Sequence, residues 1–249
     1  MNSYKKTIES IYENKQNVYF IHYSCQNLSD YNEGYSPRIT SIAILHMSSA
    51  QMHSFSIHLI AEEMGVSRDN IIESYDKIES QMLERYFSFI ESRQDNSIWI
   101  HWNMSNINYG FEVLEHRYKV LTHIEPIHIN ENSKYNLSNI IKKKHGPKYA
   151  KDPKMLNLML LNGEKDRFFL NGEEEVTAFK AKEFVKLHNS TMCKVYFFNE
   201  VYIKLANNKL RTETNQFRYK VSLLYQNPIV QIISIIGILW SIIVTVFKL

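Results

Sequence analysis

Between Ile229 and Phe247 the chain reads IVQIISIIGILWSIIVTVF, nineteen residues without a single charge. A helix of that length rises ~1.5 Å per residue and spans roughly 28 Å, close to the ~30 Å hydrocarbon core of a bilayer. The competing reading is a buried core helix, but core helices rarely stay apolar on every face for so long. The pattern predicts one transmembrane helix at the C-terminal end, inserted as a tail anchor, with the lipid bilayer as its partner. Arg211, Arg218 and Lys220 precede the run and only Lys248 follows it, so the basic flank predicts that the preceding domain is cytoplasmic. Met1 to Asn17 is polar and has no apolar signal-peptide core, in line with that orientation. Gly237, Ser241 and Thr245 recur every four residues. Such a small-residue stripe lets membrane helices approach closely, and it predicts a homo-oligomer through that face.

Ahead of the span, 44% hydrophobic and 22% charged residues exclude wholesale disorder and fibrous classes. Only 7 Gly and 5 Pro in 249 residues predict long elements and few loops. The two cysteines, Cys25 and Cys193, exclude a disulfide scaffold and a paired-cysteine zinc site and suit a reducing compartment. A net charge of +3 is too small to mark a nucleic-acid binder by itself.

Residues 1–205 read as one α/β domain, 206–228 as a juxtamembrane connection and 229–247 as the span. Asn17–Cys25, Arg38–Met47 and Met52–Ala61 are rich in β-branched and aromatic residues and predict three strands, the last two joined by a hairpin at Ser48-Ser49. Asp76–Arg93 repeats Ile78, Met82, Tyr86 and Ile90 every four residues and predicts a helix. Ser97–Trp102 predicts a fourth strand. Helices are predicted over Tyr109–Leu121, Tyr135–Lys144 and Ala178–Ala206, with mixed structure and turns at Asn162-Gly163 and Asn171-Gly172 between them.

A three-stranded meander, then a helix and a further strand, is the opening of a ribonuclease H-like mixed sheet with flanking helices. Three local patterns agree with it. The first strand ends in Phe20-Ile21-His22-Tyr23-Ser24, with Leu28 closing a short loop. The fourth ends in His101-Trp102-Asn103, followed by Asn106-Ile107-Asn108 before the next helix. The last helix carries His188-Asn189-Ser190-Thr191-Met192-Cys193. In these residues the chain resembles the DnaQ-like 3′–5′ exonucleases of the DEDD class, over roughly residues 15–205.

That family holds two divalent metals on four carboxylates, and the metals activate water and stabilise the leaving oxygen. Here the corresponding positions are His22, Ser24, Asn108 (or Asn106) and Cys193, with His188 at the family's histidine. Hard Mg²⁺ requires oxygen ligands, preferably charged. The resemblance therefore implies a degenerate, non-cutting domain with no catalytic residues, no metal and no other cofactor. The alternative is an unusual hydrolase built on His22, His101 and His188, since imidazole suits Zn²⁺ or Ni²⁺. A membrane-tethered protein-interaction adaptor is the third class.

Lys134–Lys154 holds seven lysines and one acid, Asp152. Within it Lys142, Lys143, Lys144 and Lys148 form a stripe able to contact phosphates of nucleic acid, nucleotide or lipid headgroups. Equally they could be a solvated helix end favoured by its dipole. Residues 62–95 carry nine acids against four bases, which shortens any nucleic-acid track. Trp102 and Asn103 lie where the family's substrate base would sit, and an aromatic there either stacks on a base or fills the core. Glu112, Glu115 and His116 are neighbours on a helix, either an acid–base group or a solvated face. Together these residues predict a nucleic-acid or nucleotide sensing module coupled to a membrane helix. By analogy of layout, that is the arrangement of membrane effectors in anti-phage defence.

Overall fold

The computed structural model describes residues 3–26, 36–93, 96–106 and 109–217, together with scattered positions from 219 to 240. The chain divides into two compact units: residues 1–144 with 164–210, and residues 145–163 with 211–249. The continuous 1–205 domain read from the sequence thus has residues 145–163 grouped elsewhere.

In the first unit, α1 (Ser3–Glu13) precedes β1 (Val18–Cys25), β2 (Ile39–His46) and β3 (Met52–Ser56). Next come α2 (Ile57–Glu63), α3 (Tyr75–Glu91), β4 (Ile98–His101) and the short strands β5 (Ser105–Asn106) and β6 (Tyr109–Gly110). The run continues with α4 (Phe111–Thr122), β7 (Lys134–Asn136) and α5 (Leu137–His145). After α6 (Lys154–Asn162) of the second unit, α7 (Gly172–Lys180) and α8 (Phe184–Ala206) complete the first.

The strands form a mixed sheet in the order β3-β2-β1-β4-β7. β1–β2 and β2–β3 are antiparallel, whereas β1–β4 and β4–β7 are parallel. Successive residues of β1 therefore face opposite layers. On one face Phe20 and His22 meet Tyr202 and Phe198 of α8, with ring centroids 5.9 and 5.6 Å apart. On the other, Ile21, Tyr23, Ile42 and Ile44 join Ile78, Met82 and Leu83 of α3 and Leu114 of α4 in one apolar core. Tyr19 stacks on Trp99 at 5.0 Å, so Trp99 is a core residue, as a buried strand position requires.

The β1–β2 register slips between Ser24 and Cys25, leaving Thr40 as the extra residue. The Thr40 hydroxyl donates to the Ser24 carbonyl at 3.0 Å. The Ile39 N–H, which stands next to the bulge, donates to the buried Glu79 carboxylate at 2.6 Å. Arg117 meets Glu79 with two bonds, 3.0 Å from Nε and 2.6 Å from a terminal nitrogen, and bonds Asp76 at 2.8 Å. A bulge that exposes a backbone donor is thereby closed by a buried charge that has its own counter-ion.

The antiparallel β2–β3 hairpin and the strands β1, β2 and β4 follow the sequence reading. α3 and α4 also fall on the helices expected over Asp76–Arg93 and Tyr109–Leu121, and the remaining elements differ. Met52–Ala61 is not one strand: the chain turns at Ser56 and the apolar run Ile57–Ala61 belongs to α2, because a short apolar run fits either element. Tyr135–Lys144 divides between β7 and α5. Ala178–Lys180 ends α7, and α8 starts only at Phe184. α7 opens with a reciprocal cap, in which Asn171 Oδ1 accepts from the Glu174 N–H at 3.0 Å and Glu174 accepts from the Asn171 N–H at 2.7 Å. That pairing satisfies two otherwise orphaned donors. α1 lies in a stretch that the sequence reading left without structure. Ile8 and Ile11 are its buried residues, and the Tyr202 hydroxyl donates to the Ile8 carbonyl at 2.7 Å.

In the second unit, hydrogen bonds tie residues 145–163 to residues 211–214. Tyr149 is fully buried and its carbonyl accepts from the Glu213 N–H at 2.8 Å. Asn162 and Arg211 exchange bonds of 2.9 and 3.0 Å, and the Thr214 hydroxyl donates to the His145 carbonyl at 2.9 Å. In the apolar run, the described residues Ile235, Ile236 and Ile238 are 55–60% exposed. Among the described residues no helix is long and apolar enough to cross a membrane. Most of the predicted span, including Ser241 and Thr245, lies outside the described residues, while Gly237 lies within them with open space around its Cα.

Candidate functional site

The three parallel strands β1, β4 and β7 end at the same edge of the sheet, and β1 has antiparallel β2 on one side and parallel β4 on the other. In open α/β sheets the crevice outside the carboxyl ends of the parallel strands is where ligands bind. His22 and Ser24 of β1 and His101, Trp102 and Asn103 after β4 stand at this edge.

His22 is 5% exposed. The Tyr109 hydroxyl donates to the Tyr23 carbonyl at 2.9 Å and lies 3.3 Å from His22 Nδ1. Its one proton is thus engaged by the carbonyl, which leaves Nδ1–H of His22 to donate to the phenol oxygen. Burial, helped by the positive charge of Lys194, holds the His22 pKa well below the ordinary histidine value, so the ring is neutral. Ser24 is buried and its hydroxyl has no partner among the described residues. Burial also raises the neighbouring Cys25 thiol to about 12, with the charges of Glu175 and Glu79 contributing. Cys25 is therefore not a thiolate nucleophile.

Lys194 was not singled out by the sequence, yet its charge acts directly on His22. It is 5% exposed, sits among buried residues of α8, and donates to Glu175 of α7 at 2.6 Å. Glu175 also accepts from the Ser190 hydroxyl at 3.1 Å, and Ser190 in turn accepts from the Leu170 N–H at 3.2 Å. The Thr191 and Ser41 hydroxyls bond each other at 2.7 Å across the α8–β2 contact. The only sequence signal for Lys194 is a charge inside an apolar helical stripe. Glu175 carries none, because its role depends on α7 docking against α8.

The other expected site residues scatter. His188 lies against His58, ring centroids 5.1 Å apart, and burial lowers its pKa to about 4. Cys193 is buried, donates to the Ser190 carbonyl at 3.2 Å, and has its thiol raised to about 12 by burial. Five residues turn about 140° around an α-helix, so these two cannot address one point. Asn108 lies outside the described residues. His101 packs edge-on against Phe111 at 5.5 Å. The three histidines of the alternative metal site therefore sit in three separate environments. Among the described residues no group of three or more His, Cys, Asp or Glu side chains is placed to hold a metal.

Trp102 is 5% exposed and stacks on Phe198 at 5.9 Å, which makes it packing rather than an open platform for a base. Asn103 takes a left-handed backbone, φ 56°, and its Oδ1 accepts from Asn136 at 3.1 Å. Lys144 is a structural cation: it donates to the Leu205 carbonyl at 2.8 Å and to Asn208 at 2.6 Å, closing the end of α8. Lys142, Lys143 and Lys148 are exposed, and Lys148 belongs to the second unit. Glu115 pairs with His128 at 2.9 Å, so the Glu112–Glu115–His116 group is not an assembled acid–base set.

Comparison with family models, with curated proteins and with solved structures returns no match to this chain.

Proposed function

We propose that this chain is a membrane-tethered, non-cutting ribonuclease H-like domain that binds nucleic acid or nucleotides at the carboxyl edge of its sheet. The observation that carries the reading is the make-up of the end of β1. His22 is neutral, Ser24 is uncharged, and the buried ion pair whose lysine acts on His22, Lys194 with Glu175, has no net charge. Two divalent metals need several unpaired carboxylates close together, and a lysine ammonium beside His22 opposes them. The fold-level support is the antiparallel meander β1-β2-β3 followed by α3 and the parallel strand β4.

The membrane half of the proposal rests on the charge-free run Ile229–Phe247 and on its exposed isoleucines. Consecutive helical positions lie 100° apart, so exposed Ile235, Ile236 and Ile238 span more than one face. Association through Gly237, Ser241 and Thr245 belongs to the same proposal.

The test is an assay of the full chain on single-stranded DNA and RNA with Mg²⁺ or Mn²⁺. The expected outcome is retention of the strand, weakening as salt rises, with no release of nucleotides. Release that His22→Ala abolishes would establish an active site and overturn the non-cutting reading. Absence of any retention at low salt would overturn the binding reading.

A further inference from the structure

A cavity of about 320 Å³ opens at the carboxyl ends of β4 and β7, a volume in the range of small-ligand sites. Its apolar lining includes Met104 and Ile140, both buried, with the rings of Tyr4 and Tyr135 beside them. His101 also lines it, although only 2% exposed.

The tautomer of His101 follows from its bond to the Met104 backbone. The Met104 backbone N–H lies 3.0 Å from Nδ1, and a backbone N–H can only donate. Nδ1 is therefore the unprotonated nitrogen. Burial, reinforced by the positive charge of Lys134, keeps the ring neutral, so its single proton sits on Nε2. That Nε2–H has no partner among the described residues. A buried ring held by Met104 on one side presents an unused donor on the other.

Charges at the cavity divide into satisfied and unsatisfied groups. Lys134 is engaged: it pairs with Glu131 at 2.5 Å and lies 4.8 Å from the centre of the Phe111 ring. Lys143 and Glu112 line the same cavity, are exposed, and make no ion pair among the described residues. The lining thus offers an apolar bed with aromatic rings, one buried in-plane donor, one carboxylate acceptor and one free cation.

We infer that this cavity binds a mononucleotide-sized ligand, a planar heterocycle with an anionic substituent. The ring lies among Met104, Ile140 and the tyrosines, an acceptor on its edge takes the His101 Nε2–H, Glu112 accepts from an amino or hydroxyl group, and Lys143 meets the phosphate. The inference rests on the proposed binding at this edge and narrows it to a small ligand in one cavity; strand retention without monophosphate binding would fail the inference alone.

The probes are the four common nucleoside 5′-monophosphates and the matching nucleosides, titrated calorimetrically into the full chain in detergent. At least one monophosphate is expected to bind below the order of 1 mM. His101→Asn places an amide oxygen where Nδ1 accepts from Met104 but removes the Nε2 donor. It should weaken both nucleotide and nucleoside by about tenfold, the worth of one buried hydrogen bond. Lys143→Gln should weaken the nucleotide and leave the nucleoside unchanged, and Lys148→Gln should change neither. A measurement on the unaltered chain guards against misfolding of the variants: the ¹⁵N resonance of His101 Nε2 should shift as ligand is added. Failure of all eight compounds to bind, equal binding by the His101 and Lys143 variants and the parent chain, or an unmoved Nε2 resonance would each overturn the inference.

Discussion

Three histidines, His22, His101 and His188, are almost fully buried and neutral in the folded chain. Burial is the main cause in each case, with Lys194, Lys134 and His58 respectively adding positive repulsion. An unfolded imidazole takes up a proton as pH falls through 6.5, whereas His101 and His188 refuse one until about 4. Between those values the unfolded state binds more protons, so stability is full above pH 6.5 and falls as pH falls toward 4. From pH 7 to 5.5 the loss should be about 1 kcal/mol for each of His101 and His188, with His22 adding in the same direction. Urea denaturation at the two pH values checks this, and His101→Asn should remove roughly a third of the difference. A denaturation midpoint that does not move between pH 7 and 5.5 would mean that these rings are protonated in the folded protein. The same residues show why the metal alternative was attractive on paper. Histidine identity is visible in a sequence, but whether three rings converge depends on packing, and each ring here has its own partner.

At the scale of elements, the bulge in β2 depends on a helix from the other layer. Glu79 of α3 is fully buried and caps the Ile39 N–H, and its pKa is raised by burial against the opposing pull of Arg117. Glu79→Gln would leave the Arg117 charge with only the solvent-facing Asp76, and should cost about 3–5 kcal/mol. Replacing both, Glu79→Leu with Arg117→Met, should recover much of that loss, as measured by chemical denaturation. A single-variant cost under about 1 kcal/mol would contradict the role assigned to the pair. Elements were legible where periodicity is strong, as in α3 with its buried Ile78, Met82, Tyr86 and Ile90, and in the apolar run of β1. They were not legible where tertiary contact decides. Lys134-Tyr135-Asn136 has no strand pattern and becomes one by pairing with β4. α1 has only two buried isoleucines in a polar segment and is held by Tyr202 of α8. The candidate site divides the same way: His22 and Ser24 could be placed at the end of β1 from the sequence, but Lys194 and Glu175 meet only once α7 and α8 have docked.

At the scale of the whole molecule, the apolar run Ile229–Phe247 is proposed as the attachment to a bilayer. Deleting residues 226–249 should move the chain from the membrane fraction to the soluble fraction after cell lysis. A truncated chain that still pellets with membranes after a high-salt wash would mean that the attachment lies elsewhere. The docking of α8 gives this arrangement a sequence in time. The layer that Phe198, Tyr202 and Thr191 complete over β1 and β2 comes from residues 184–206. During synthesis, the sheet therefore waits with Phe20, His22 and Ser41 uncovered until residues 184–206 have been made. The charge-free run follows shortly after. A nascent chain thus closes its sheet and displays its most apolar segment almost together. A delay in α8 docking would present two apolar surfaces at once instead of one.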